Sequence, residues 1–179
     1  MGESEGVGES EGGQNDGNDA VWLCEQTVSQ WVAGSEERER RRGEQRRLVA
    51  ELLPFDDAAH FSFVDLGAGT GTAARAVLDR YPNAFAILAE YSPQMIEEGR
   101  RALACYQERY EYVNLDLKHG PWPEEIPAEL PAVISSLCVH HLPDERKWEL
   151  FAEIYARLAP GGWYLNYDAV STADPIVAA

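Results

Sequence analysis

Cysteine is scarce in this chain of 179 residues: Cys24, Cys105 and Cys138 stand apart, with no CxxC pair and no metal-ligand spacing. An odd, scattered set argues against a disulfide framework and predicts reduced thiols in a cytoplasmic protein with no metal centre. No apolar run approaches the roughly 18 residues needed to span a bilayer, so no membrane segment is expected. The opening MGESEGVGESEGG has neither a basic region nor an apolar one, which argues against a secretory signal. Basic residues are few as well. With 15 Lys and Arg against 31 Asp and Glu, the formal charge is −16, and such a field repels phosphate backbones. Nucleic acid is therefore not an expected partner. What is present is ordinary: 45% hydrophobic and 26% charged residues fit one soluble globular domain.

Residues 1–19 hold six acidic residues and six glycines, and GESEG occurs at 2–6 and again at 8–12. So little apolar surface cannot offset the ordering entropy, and disorder is predicted for this acidic tail. Residues 20–55 read as helical. Trp22, Leu23, Gln26 and Trp31 mark one amphipathic segment, and a second starts near Ser35 as a plausible N-cap and stops at Pro54. That second segment interleaves Arg38, Arg40, Arg41, Arg42, Arg46 and Arg47 with Glu36, Glu37, Glu39 and Glu44. A solvated face with i,i+4 pairs is the ordinary reading of such a run, and an arginine that anchors an anionic ligand is the other.

From residue 56 onward, strand and helix patterns alternate. Apolar strands are expected at 61–66, 85–89, 110–115, 132–137 and 163–170, with helices at 73–80, from Ser92-Pro93 to about 103, and 143–158. Alternation with apolar strands predicts an α/β fold: a doubly wound, mostly parallel Rossmann-like sheet with helices on both faces. Ligands bind such sheets beyond the carboxyl ends of the strands. Acidic residues stand there: Asp65 within the end of the first strand, Glu90 closing the second and Asp116 closing the third.

The stretch VDLGAGTGT places Gly67, Gly69 and Gly71 directly after the first strand. This is G-x-G-x-G with Thr72 following, not the G-x-G-x-x-G that packs a helix N-terminus onto a pyrophosphate, and no P-loop Lys-Ser/Thr follows. A glycine loop with a carboxylate suits a cationic, amino-acid-like group. Glu90, about 20 residues further on, suits ribose hydroxyls, and Asp116 suits an exocyclic amine. The three together describe an adenosine joined to an amino-acid tail.

Four segments in order carry a resemblance: VDLGAGTGT, AILAEYSPQMIEEGR, VNLDLKHG and AVISSLCVHHLPDERKWELFAEIYARLAPGGWYLNYDAV. Over residues 61–170 the chain resembles the class I S-adenosylmethionine-dependent methyltransferases. The resemblance implies S-adenosyl-L-methionine as cofactor, with S-adenosylhomocysteine as product. It implies that Asp65, Gly67, Ala68, Gly69, Thr70 and Gly71 cradle the methionine part, and that Glu90 holds the ribose hydroxyls. Tyr91 and Met95 would flank the adenine, Asp116 and the Leu117 amide would read its edge, and Leu137 would line the floor near the methyl group. The family's sheet has strand order 3-2-1-4-5-7-6, so a domain at 56–179 is expected to lack the last strands.

Methyl transfer from a sulfonium asks for in-line approach and exclusion of water, and such positioning accounts for roughly 7–11 kcal/mol of barrier. No Asn/Asp-Pro-Pro-Tyr or Pro-Cys motif points to a nucleic-acid base, and the expected acceptor is a small molecule. His140 and His141, at the ligand-facing end of the fourth strand, are the candidates for a general base, against an ordinary role bonding the neighbouring loop. A cofactor-binding partner or regulatory module without turnover is the alternative function. A nicotinamide oxidoreductase is opposed by Thr72 and by the absence of a Tyr-x-x-x-Lys pair.

Overall fold

The structure, a computed structural model, describes residues 20–170. The acidic tail at 1–19, expected to be disordered, lies outside them, as do residues 171–179. The described residues begin with a 3-10 turn at Ala20–Leu23, followed by two helices, α1 (Glu25–Ala33) and α2 (Ser35–Leu52). Gly34 occupies the cap position of α2, so Ser35 is its first helical residue and not its cap. Side chains at 35–41, including Arg38, Arg40 and Arg41, are outside those described.

Five strands follow: β1 (Ser62–Leu66), β2 (Phe85–Glu90), β3 (Tyr110–Asn114), β4 (Leu130–Ser136) and β5 (Leu158–Tyr167). They form one parallel sheet in the order β3-β2-β1-β4-β5, with Val64 opposite both Ile87 and Val133. The helices α3 (Thr72–Arg80), α4 (Pro93–Ala102) and α5 (Asp144–Arg157) lie between them. The doubly wound α/β expectation holds. Ser92 caps α4 as expected, its Oγ accepting the Met95 N–H at 3.3 Å.

Side chains alternate along each strand, and both faces are apolar. Phe63, Ala86, Leu88, Ala132 and Ile134 pack with α2 and α3 on one face. Val64, Leu66, Ile87, Ala89 and Val133 pack with Leu150 and Ile154 of α5 on the other. The proline-rich loop before β4 is pinned to the second face by Trp122 and Ile126, and Trp122 Nε1–H donates to Glu153 Oε2 at 2.9 Å.

The last strand differs from the expected 163–170. It starts at Leu158 and ends at Tyr167, because Pro160-Gly161-Gly162 is absorbed as a register shift against Leu130 and Ala132 instead of breaking the pairing. Among the described residues β5 pairs only with β4. Strand order reverses between β1 and β4, which opens a crevice at their carboxyl ends.

Candidate active site

β1 runs straight into the glycine loop. Gly67 has φ +65°, and a Cβ there would overlap Cys138 Sγ; Gly71 has φ +75°, and a Cβ there would come within 2.5 Å of Leu103 Cδ1. Left-handed backbone and close contact both require glycine at these two positions. Gly67→Ala should therefore destabilise the fold by at least about 2 kcal/mol, readable in a denaturant melt. An unchanged midpoint would show that the loop can move away from Cys138.

The two buried carboxylates anchor the backbone around this loop. Asp65 is 1% exposed, and its Oδ2 accepts the Ala74 N–H at 3.1 Å, tying the end of β1 to the first turn of α3. Burial pushes its pKa up to about 7 despite the Ala74 N–H and the charge of Arg46, with Glu90 adding to the rise. Glu90 is 6% exposed. Its Oε2 accepts from Gly69 N at 2.8 Å, and its Oε1 from Tyr91 N at 2.9 Å and Ser92 N at 2.8 Å. Burial raises its pKa, opposed by the Ser92, Gly69 and Tyr91 N–H groups.

At the end of β3, Asp116 turns its chain locally, accepting from Lys118 N at 2.9 Å and facing His119 Nδ1 at 3.0 Å. Arg146 on α5 braces the next residue, donating to the Leu117 carbonyl at 2.7 Å while it pairs with Glu153.

Asp65, Glu90, Asp116 and the start of the glycine loop border a cavity of about 380 Å³, a size usual for a small-molecule site. Asp65, Gly67, Ala68 and Gly69 form its base. Glu90, Tyr91 and Met95 form one side, and Asp116 and Leu117 the next. Leu137, His140 and His141 close the side beyond β4. Leu137 has φ +55°, an uncommon conformation for leucine, held by its N–H bond to the Tyr167 carbonyl at 2.8 Å.

Two of the expected loop residues do not line the cavity. Thr70 is 7% exposed and packs beneath the loop, where a Cβ on Gly99 of α4 would lie 3.2 Å from its Cα; Gly71 is turned toward Leu103. The chain has already bent into α3 by then, and Thr72 and Ala73 face the cavity in their place.

Other lining residues carried no motif. Trp22 reaches the cavity from the N-terminal segment: its carbonyl accepts from Ser92 Oγ at 2.6 Å, and its ring meets that of His141 edge-on at 6.3 Å. Arg42 and Arg46, one turn apart on α2, also line the cavity. Arg46 is only 5% exposed, whereas Arg47 is exposed, so the arginine run is not uniformly a solvated face.

His140 is held on two sides by one carboxylate. Its backbone N–H donates to Asp168 Oδ2 at 3.0 Å, and its Nδ1 lies 2.5 Å from Asp168 Oδ1. Asp168 stands one residue past the end of β5 and is the residue of that segment that meets His140. Tyr164 packs on the α5 side against Phe151, and Asn166 is exposed. Among the described residues no cluster of His, Cys, Asp and Glu is placed to hold a metal ion. None of their helices is long and apolar enough to cross a membrane.

Residues 63–162 match the family model of the methyltransferase domain. The chain belongs to the methyltransferase domain family. It is 31% identical over 122 residues to the trans-aconitate 2-methyltransferase of Azoarcus sp. BH72, covering 66% of this chain and 44% of that protein. It is 30% identical over 145 residues to the enzyme of the same name from Pseudomonas aeruginosa PAO1, covering 73% and 49%. This methyltransferase domain chain thus spans about half the length of the curated relatives it matches. In fold it is similar to a putative S-adenosyl-L-methionine-dependent methyltransferase of Methanococcus maripaludis, with TM-score 0.65 and 17% identity over 90% of this chain and 68% of that one.

Proposed function

We propose that the cavity binds S-adenosylmethionine and that the protein transfers its methyl group to a small-molecule acceptor. The observation that carries this reading is the convergence of Asp65, Glu90 and Asp116, from three adjacent strand ends, on one cavity floored by the glycine loop. The donor set suits the cofactor. Glu90 Oε2 keeps an acceptor site for a ribose hydroxyl, Asp116 has acceptor capacity for the adenine amine, and Tyr91, Met95 and Leu117 offer apolar surface to the ring. Gly67 and Gly69 bring backbone against the methionyl part, Asp65 favours its positive charge, and Leu137 closes the floor. Thr70 and Gly71 serve from beneath by setting the loop's path. Arg46, which lines the same cavity and whose charge acts on Asp65, would meet the methionyl carboxylate.

The bound cofactor supplies an electrophilic methyl group on a sulfonium. Everything else asked of the protein is orientation and exclusion of water. The relatives' names point to a carboxylate acceptor, which is already a nucleophile and needs no proton removed. A hydroxyl acceptor would use His140: with Nδ1–H given to Asp168, Nε2 keeps the lone pair that takes the acceptor's proton.

The test is transfer of labelled methyl from S-adenosylmethionine, with trans-aconitate as the first acceptor and hydroxy compounds of similar size after it. Incorporation into either class supports the reading. Cofactor binding without transfer to any acceptor would favour a binding module over an enzyme.

A further inference from the structure

One half-buried hydroxyl lies beneath the glycine loop and takes no part in the cavity. Tyr112 on β3 donates its Oη–H to the Gly69 carbonyl at 3.0 Å. Gly69 in turn gives its N–H to Glu90 Oε2 at 2.8 Å, so both backbone groups of this residue are held by side chains from neighbouring strands. Helix α4 leaves room for the phenol only because residue 99 is glycine. A Cβ there would overlap Tyr112 Oη and lie 2.7 Å from Cζ. Loop, strand and helix thus meet at one oxygen. Burial, with the charges of Asp65 and Glu90, holds the phenol far above the ordinary tyrosine range, so Tyr112 remains a protonated donor at any working pH.

We propose that Tyr112 is a positioning residue for the cofactor: its hydroxyl fixes Gly69 and, through the Gly69 N–H, the carboxylate of Glu90. This rests on the reading that the loop and Glu90 bind S-adenosylmethionine. Neither the glycine motif nor the carboxylate at the strand end signals it, because Tyr112 acts from the side of the loop that faces away from the ligand.

The experiment compares wild type, Tyr112→Phe, Gly99→Ala and the double variant. S-adenosylhomocysteine affinity is measured by calorimetry, and protection of the Gly69 amide by hydrogen exchange. Phe keeps the ring and removes one neutral hydrogen bond, so Tyr112→Phe should melt close to wild type. It should bind about five- to tenfold more weakly and lose protection at Gly69. Gly99→Ala should weaken binding in the wild-type background and do so less in the Phe background, where the hydroxyl it strikes is gone. Wild-type affinity together with wild-type Gly69 protection in Tyr112→Phe would overturn the proposal. If wild type itself fails to bind S-adenosylhomocysteine, the cofactor reading falls, and exchange at Gly69 still decides whether Tyr112 fixes the loop.

Discussion

Glu90→Ala is expected to lower S-adenosylhomocysteine affinity by about a hundredfold, the largest effect of any single substitution in the site. Two losses combine. The variant removes the charged acceptor for ribose hydroxyls, and it strands the N–H groups of Gly69, Tyr91 and Ser92, which now satisfy Glu90 from within the protein. Hydrogen bonds to a charged group contribute about 1.5–3 kcal/mol, and a buried donor left without an acceptor costs about 1–3 kcal/mol. The melt should therefore fall too, by about 5–10 °C for a domain of this size. Calorimetry with a 2′-deoxy analogue separates the two losses. Wild type should prefer the ribose form, and Glu90→Ala should bind both forms equally. Retained discrimination in the variant would assign the ribose to another residue.

Asp65→Asn should remove a pH dependence that wild type shows between about pH 4 and 7. The native carboxyl titrates near 7 and the unfolded one near the ordinary aspartate value of 3.8, so within that window the folded state holds a proton that the unfolded state has released. Stability is greatest below the unfolded value and falls as pH rises through the folded one, by an amount on the order of a few kcal/mol. Glu90, raised in the same direction, adds to the slope. Asn keeps an oxygen for the Ala74 N–H and cannot ionise, so its denaturant midpoint should be flatter over the same range. The ionised form of Asp65 suits a cationic ligand. S-adenosylmethionine affinity should accordingly rise with pH through about 7 in wild type, and less so in Asp65→Asn. Equal pH profiles for the two proteins would show that Asp65 stays ionised in the native state.

The strand ends were the legible part of this protein. Asp65, Glu90 and Asp116 follow apolar runs, and a parallel sheet can only bring such residues together at one edge. The loop glycines were legible too, because turning and close approach both demand them. What the pattern of residues could not show was orientation around the loop. Thr70 and Gly71 belong to the motif and yet face the protein interior, since α3 has begun to turn by residue 71. Arg46 stands in a charge run that resembles a solvated face, and its burial depends on how α2 lies over the glycine loop. Trp22 is distant in sequence from every motif, and Asp168, though within the last quoted segment, meets His140 28 residues away only through the fold.

The central claim is that the glycine loop and Glu90 form an S-adenosylmethionine site, and calorimetric titration with S-adenosylhomocysteine, beside NADH as the comparison, tests it most directly. The account predicts saturable one-to-one binding of S-adenosylhomocysteine and none of NADH. Binding of NADH alone, or of neither ligand by a chain whose circular dichroism melt is cooperative, would contradict it.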